Sequence, residues 1–417
     1  MSAGDLGRPL EGKIVLDLTT ALAGPYATLL LAGLGARVIK IENGRQGGDT
    51  ARNNSPYITA EGLSTVRTAA EDMSVSMMLR GRNKESMTLN LKDAAGQAVF
   101  HDLVARADVV VENYSAGVTE RLGIDYASVK EFNPRLVYLS ISGYGAQGQV
   151  GGTGKAMDTI IQALSGLMMT AGAPGEDPVR FGLPIGDLAA PLFGVIGTLA
   201  AVIEVDRTGR GQHVDVSMLG ALTSLVACEP FDAFETIGMP TRTGSLVPRL
   251  APFGVFTCVD GWFALCGPTD EFAHGVLRTL GHPELVTDPR FEHRDGRVAH
   301  ATELHGMVAR WAAGLKVVDA VANLEAEGVP AAPVRSTGEA VRDPLVLKRG
   351  EVVTLVHPTY GEQPDLYGTG LPIRFSGSET SLAQPAPTLG QHTDTVLEEL
   401  LGYSEDRVAT LRASGAL

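Results

Sequence analysis

Along the first third of the chain, short runs rich in β-branched residues alternate with longer stretches whose apolar residues recur every three or four positions. IVLDLT (14–19), RVIKIE (37–42), DVVVEN (108–113) and RLVYLSISGYG (135–145) are of the first kind. GPYATLLLAGLG (24–35) and DAAGQAVFHDLVARA (93–107) are of the second. Strands that are apolar along their length are covered on both faces, and strand, helix, strand alternation calls for a parallel sheet. The pattern predicts an α/β protein whose large domain is Rossmann-like, built on a parallel sheet and occupying about 1–225.

The middle of the chain changes character. MDTIIQALSGLMMTAG (157–172) and LAAPLFGVIGTLAAVIEVDR (188–207) read as helices, and TGRGQHVDVSMLGALTSLVAC (208–228) as a turn, a strand and a helix. A Pro/Gly-rich stretch follows, IGMPTRTGSLVPRLAPFG (237–254), then the strand pair GVFTC and GWFALC around a turn at Val259-Asp260-Gly261, then helices to about Glu327. This predicts a smaller α/β domain over 226–330. The longest apolar run, 188–203, is interrupted by Pro191, Gly194 and Gly197 and ends at Glu204. That is short for a membrane span and predicts a helix buried in the core.

Composition narrows the function classes. With 417 residues, 44% of them hydrophobic, the chain can bury a large core and make two domains. A net charge of −14 argues against a nucleic-acid partner or a basic membrane-surface role, so an anionic ligand has to be gripped by local cations. The three cysteines, Cys228, Cys258 and Cys266, show no CxxC spacing; neither a disulfide framework nor a metal site is expected, and they read as buried small hydrophobes. The N-terminal MSAGDLGRPLEGK has no apolar core and carries Asp5 and Glu11, unlike a secretory signal, and the expectation is a cytoplasmic protein.

Two stretches invite chemistry. AGPYATLLLAGLGARVIKIE (23–42) imitates a dinucleotide-binding unit, but it lacks G-x-G-x-x-G, and Pro25 removes an N–H that a pyrophosphate would use, so no nicotinamide cofactor is expected. In GLPIGDLAAPLFG (182–194), Asp187 stands at the front of the most hydrophobic run. A carboxylate there is either solvated at the run's edge or held for its charge. Position alone makes it an N-cap for a helix over 188–203; the chemical alternative is a nucleophile. Asp158, 29 residues earlier in AMDTIIQALSG, is either a helix-start residue or a neighbour whose charge raises the pKa of Asp187.

VLDLTTALAGPYATLLLAGLGARVIKIE (15–42), GRNKESMTLNLKDAAG (81–96), ADVVVENYSAGVTERLGIDY (107–126), NPRLVYLSISGYGAQG (133–148), AMDTIIQALSGLMMTAG (156–172), GLPIGDLAAP (182–191), RTGRGQHVDVSML (207–219), APFGVFTCVDGWFALC (251–266), DPRF (288–291) and EGVPAAPV (327–334) follow one another in an order that resembles the class III CoA-transferases. That family takes in formyl-CoA and carnitine-CoA transferases and the α-methylacyl-CoA racemases. The resemblance implies that Asp187, in the family's G-D motif, is the catalytic carboxylate, with Asp158 as its partner. It implies CoA contacts at Leu89, Leu91 and Lys92, at Asn113 and Tyr114, and at the cations Arg121 and Lys155. Racemases of the family carry His immediately before the position of Asp158; here it is Met157, whose thioether cannot serve as an acid or base. Three positions depart from relatives that use oxalate or bind the nucleotide with an arginine: Leu22, the loop TRTGSLVPRL, and Asn43.

The resulting expectation is an acyl-CoA:carboxylate CoA-transferase with no tightly bound cofactor. Acyl-CoA and a small carboxylate are its substrates. The family also implies an interlocked homodimer in which 331–417 returns to the large domain. An acyl-CoA racemase or isomerase and a non-catalytic acyl-CoA-binding protein stand as alternatives.

Overall fold

Six parallel strands carry the larger of two compact units in the computed structural model, which describes residues 7–146, 148 and 155–417. Across the sheet they run Lys84–Thr88, Arg37–Glu42, Ile14–Asp17, Val109–Glu112, Val137–Ser142, His213–Ser217. In chain order this is 3-2-1-4-5-6, the order of the doubly wound nucleotide-binding folds. Such sheets bind ligands beyond the carboxyl ends of the strands where the order reverses, here between Ile14–Asp17 and Val109–Glu112.

The larger unit comprises the chain up to Ser165, Phe181–Val226 and Val341–Leu417; the smaller comprises Gly166–Arg180 and Ala227–Ala340. This division differs from the sequence expectation in two places. Gly166–Arg180 goes with the smaller unit, and the return to the larger one starts at Val341, not at 331.

Local sequence explains most of the larger unit. The helix Ala23–Gly33 has nothing but small and apolar side chains apart from Thr28 and Tyr26, and all but Tyr26 are buried, as suits a helix packed on both the sheet and the helix Ile185–Thr208. Helix Ala94–Val104 begins at Asp93, whose carboxylate accepts the N–H groups of Ala95 and Gly96 at 2.9 and 3.3 Å. Leu16, Ile39, Val110, Phe100 and Leu103 meet in the core between sheet and helix.

The strand Lys84–Thr88 was not legible from its apolar pattern, because KESMT has little of one. Met87 packs into the apolar core, but the buried residues on the strand's other face, Lys84 and Ser86, are polar and are satisfied by other buried groups. Lys84 Nζ bonds Asp17 Oδ2 at 2.9 Å, Thr28 Oγ1 at 2.7 Å and the Pro25 carbonyl at 3.0 Å. Ser86 Oγ donates to Glu42 Oε1 at 2.8 Å. The network extends along the next strand. Lys40 pairs with Asp49 at 2.8 Å and donates to the Thr19 carbonyl at 2.7 Å, while Glu42 is held by Arg52 at 2.6 Å. Three acids thus face three bases, four of the six on strands and Asp49 and Arg52 on the turn that follows the strand Arg37–Glu42.

The helix expected over 188–203 runs from Ile185 to Thr208, and it is not buried all round. By length and composition it could cross a membrane, but half of its most apolar window is buried inside the protein. A Cβ at Gly197 would stand 2.7 Å from Val214, so the helix lies close on the strand His213–Ser217. Its other face exposes Leu192, Phe193, Ile196 and Ile203. Pro191 has no N–H for the carbonyl of Asp187 four residues back, which leaves that carbonyl without its helical partner.

The smaller unit is an antiparallel sheet, Phe253–Cys258, Gly261–Cys266 and Ala331–Pro333, packed with helices including Asp270–Thr279, Ala301–Ala312 and Val317–Ala326. Its core gathers Phe256, Phe263, Leu265 and Val308. Of the cysteines, Cys258 is buried and Cys266 half-buried, but Cys228 is exposed, contrary to the expectation of three buried thiols.

Replacing Lys84 by Met should leave the Asp17 carboxylate buried without its cation, at a cost of about 3–5 kcal/mol in urea unfolding at pH 7. The double variant Asp17→Asn/Lys84→Met should recover part of that loss. A single-variant loss below about 1 kcal/mol would mean that the network does not support the sheet.

Candidate active site

Asp187 lies in the first turn of the helix Ile185–Thr208, and the helix start is unusual. Its N-cap is Pro184, which offers no side-chain acceptor, so the expected N-cap role of Asp187 is not what the structure shows. The acceptor comes from another helix. Asp158, the first residue of the helix Asp158–Leu164, takes the Gly186 N–H on Oδ1 at 2.8 Å. Its other oxygen takes a hydrogen bond from Gln162 Nε2 at 2.7 Å. Gln162 is fully buried; it also bonds the Leu183 carbonyl at 3.2 Å and accepts the Phe181 N–H at 2.9 Å. The segment leading to Asp187 is therefore tied to the Asp158 helix at three points.

Gly186 permits this close approach. A Cβ there would sit 3.1 Å from Asp158 Oδ1 and 3.3 Å from Met218 Cε. The outcome is a division of roles between the two carboxylates. Both oxygens of Asp158 are engaged in holding the helix start, whereas no described residue donates a hydrogen bond to the Asp187 carboxylate.

Burial, reinforced by the charge of Asp158, pushes the pKa of Asp187 up to about 6, and Arg80 opposes the rise. The positive end of the helix also favours an anion in its first turn. Asp187 is thus ionised at neutral pH but poorly solvated, the state expected of a carboxylate nucleophile.

The sequence reading missed Arg80 and Gln162. Gln162 had a signal, since it lies four residues after Asp158 and so on the same helical face. Arg80, at the end of the helix Val75–Arg80, had none, because its relation to Asp187 arises only from the fold.

Of the residues expected to contact CoA, Asn113 and Tyr114 lie at the carboxyl edge of the sheet, at the point where strand order reverses. Asn113 spans the crevice: Oδ1 accepts the Thr20 N–H and Nδ2 donates to the Thr20 carbonyl, each at 2.9 Å. Tyr114 is half-buried against the core, and burial pushes its hydroxyl up to about 12. The Leu89 and Leu91 side chains are buried in the core and do not line an open wall. Lys92, Arg121 and Lys155 are exposed. Met157 precedes Asp158 as N-cap and is 75% exposed. Asn43 turns the chain after its strand by accepting the Arg45 N–H at 3.1 Å, and Leu22 is the N-cap of the helix Ala23–Gly33. Asp5, and Gln147 within the matched stretch 133–148, fall outside the described residues.

The chain belongs to CoA-transferase family III, whose sequence model matches residues 10–393. It is 34% identical over 417 residues to mouse succinyl-CoA:glutarate CoA-transferase, spanning 99% of this chain and 91% of that protein. It is 34% identical over 393 residues to acetyl-CoA:oxalate CoA-transferase of Acetobacter aceti, spanning 94% of this chain and 95% of the relative. Among solved structures, a CaiB/BaiF family protein from Brucella suis superposes with a TM-score of 0.79 at 30% identity, covering 94% of this chain and 100% of that one. Both named relatives move CoA between acids, which supports CoA transfer as the activity here.

The raised pKa of Asp187 carries a stability consequence. Between the usual carboxylate value and about 6, the folded state holds a proton that the unfolded chain has lost, so stability falls as pH rises through that window. Asp187→Asn removes the penalty. Its melting temperature relative to wild type should therefore increase between pH 4.5 and pH 7.5; a difference that does not vary with pH would contradict the placement of Asp187.

Proposed function

We propose that the protein is an acyl-CoA:carboxylate CoA-transferase that carries CoA on the side chain of Asp187. The observation behind this reading is the pairing at the helix start, where Asp158 is fully engaged and Asp187 is half-buried, ionised and unbonded.

The steps follow from carboxylate chemistry. Asp187 attacks the thioester carbonyl of the donor, the C–S bond breaks, and a mixed anhydride and CoA thiolate result. The thiolate attacks the Asp187 carbonyl and expels the donor acid as a free carboxylate, leaving an enzyme–CoA thioester. The acceptor carboxylate attacks that thioester to give a second anhydride and thiolate, and the thiolate then takes the acceptor acyl group, which restores the Asp187 carboxylate. The anhydrides are easily hydrolysed, so the apolar surroundings of Asp187, Ile185, Leu188 and Ala189 among them, suit the need to exclude water. The names of the relatives, with succinyl-CoA and glutarate in one and oxalate in the other, favour dicarboxylic acids as substrates.

Donor acyl-CoA supplied without acceptor should leave an adduct that hydroxylamine converts to a hydroxamate on Asp187, located by peptide mass spectrometry. Asp187→Asn should give no adduct and lose on the order of a thousandfold or more in transfer rate. The kcat/KM for donor should rise with pH through about 6, as the nucleophile ionises. Solvent deuterium entering the donor's α-carbon with no adduct would indicate an isomerase instead, and binding with neither would indicate a non-catalytic protein.

The protein is also proposed to act as a homodimer. The reading is supported by the exposed apolar side chains of Leu192, Phe193, Ile196 and Ile203 on the long helix and of Ile160 and Leu164 on the Asp158 helix, a kind of surface that a second chain would cover. Light scattering should return twice the chain mass of 43.8 kDa, and Ile196→Asp should shift the equilibrium toward the single chain. A wild-type protein of one chain mass at micromolar concentration would refute it.

A further inference from the structure

Among the cations of the larger unit, Arg80 is held differently from its neighbours. Lys40, Lys84 and Arg52 are enclosed and each is paired with a carboxylate: Lys40 with Asp49 and also the Thr19 carbonyl, Lys84 with Asp17 and also Thr28 and the Pro25 carbonyl, Arg52 with Glu42 and also the Pro387 carbonyl. Arg80 is half-buried and, among the described residues, makes one hydrogen bond, from Nη1 to the Ala21 carbonyl at 3.1 Å. A guanidinium has five N–H donors in a planar fork. Most of this one is unspent.

Its position is set from both sides. Ala21 lies with φ at +66°, a left-handed conformation uncommon for a residue with a Cβ, and its N–H is fixed to Asp49 Oδ1 at 2.9 Å. The carbonyl that orients Arg80 thus sits in a clamped, strained loop directly ahead of the helix that packs on the Asp187 helix. Two acids act on Arg80 through charge, Asp49 and Asp187. Asp49 already has Lys40 and two backbone N–H groups. Asp187 has no ion-pair partner within contact distance among the described residues, and in the reading above it loses its charge whenever it carries CoA. At that stage the acceptor arrives, and Arg80 is a desolvated cation with free donors and no counter-ion of its own.

We infer that Arg80 is a specificity-determining residue that takes the non-reacting carboxylate of a dicarboxylate substrate. The inference rests on Asp187 being the CoA carrier. A monocarboxylate would leave the guanidinium unpaired beside a neutral thioester, whereas a second carboxylate fits its fork bidentately. The return of charge to Asp187 at the end of the cycle restores the competing anion and favours release.

The test compares glutarate with pentanoate, the same five-carbon chain with and without the second carboxylate, using succinyl-CoA as donor. Wild type should prefer glutarate in kcat/KM for acceptor. Arg80→Gln should cut that preference by roughly tenfold to a hundredfold, the worth of a charge-assisted bidentate pair, mainly through KM. It should also move the acid limb of the donor pH profile above about 6, since the cation opposing the rise of Asp187 is gone. Arg80→Lys keeps the charge without the fork, and should lose preference while leaving the acid limb in place. Melting temperatures close to wild type would show that both variants are folded. A preference unchanged in both variants, with the Asp187 hydroxamate still formed, overturns the role of Arg80 and leaves CoA transfer standing. A wild type that forms no hydroxamate overturns the carrier role of Asp187 and this inference with it.

Discussion

The buried charge network in the parallel sheet is the constraint on which the rest depends. Asp17, Glu42 and Asp49 are set against Lys40, Arg52 and Lys84 with water almost wholly excluded. Each ion alone would cost several kcal/mol to bury, so the arrangement is sustainable only if every member is present and correctly placed. The partners are drawn from distant points of the chain, Asp17 from the first strand and Lys84 from the edge strand, so forming the pairs fixes the order of three strands at once. The same network reaches the loop after the first strand through the Thr19 carbonyl and the Ala21 N–H, and that loop orients Arg80. Sheet order and the electrostatics around Asp187 are consequences of one set of contacts.

If Asp187 is the nucleophile proposed above, the start of its helix separates two demands that a single group meets poorly. A nucleophile needs free lone pairs and little solvation, while a helix start needs an acceptor for its exposed N–H groups. Asp158 supplies the acceptor from a neighbouring helix, and its charge, together with burial, keeps Asp187 basic for a carboxylate. Gln162 ties the arrangement to the backbone at Phe181 and Leu183, so the spacing of the two acids is set by a fully buried amide, not by solvent-exposed side chains.

Much of the larger unit was legible in the sequence because its central strands are apolar and its helices are marked by Gly, Pro and Asp at their starts. Arg37–Glu42 runs over the residues its pattern indicates. Lys84–Thr88 was not legible, since a strand with Met87 as its one buried apolar residue and with Lys84 and Ser86 buried beside it has meaning only once the partners of those two, 40 to 70 residues away in the chain, are known. Asp187 and Asp158 were singled out through family resemblance; Asp158 does stand at a helix start, but the helix of Asp187 begins at Ile185, three residues before the expected 188. Nothing in Pro184-Ile185-Gly186 resembles a cap, because the cap is supplied from residue 158. Leu89 and Leu91 show the reverse limit: a motif marks a neighbourhood, while burial decides which of its side chains face a ligand. Arg80 left no trace in local sequence at all.

Pro191 gives the long helix a mechanical character that its length conceals. By withholding an N–H from the Asp187 backbone carbonyl, it removes one rung of the hydrogen-bond ladder between the turn that bears Asp187 and the body that lies on the sheet. The first turn is held instead by side chains of another helix, through Gly186 and Leu183. Small displacements of the Asp187 side chain, such as the proposed passage from carboxylate to anhydride to thioester would demand, can then be taken up within one turn. The body of the helix, and the apolar face it presents, stays where it is.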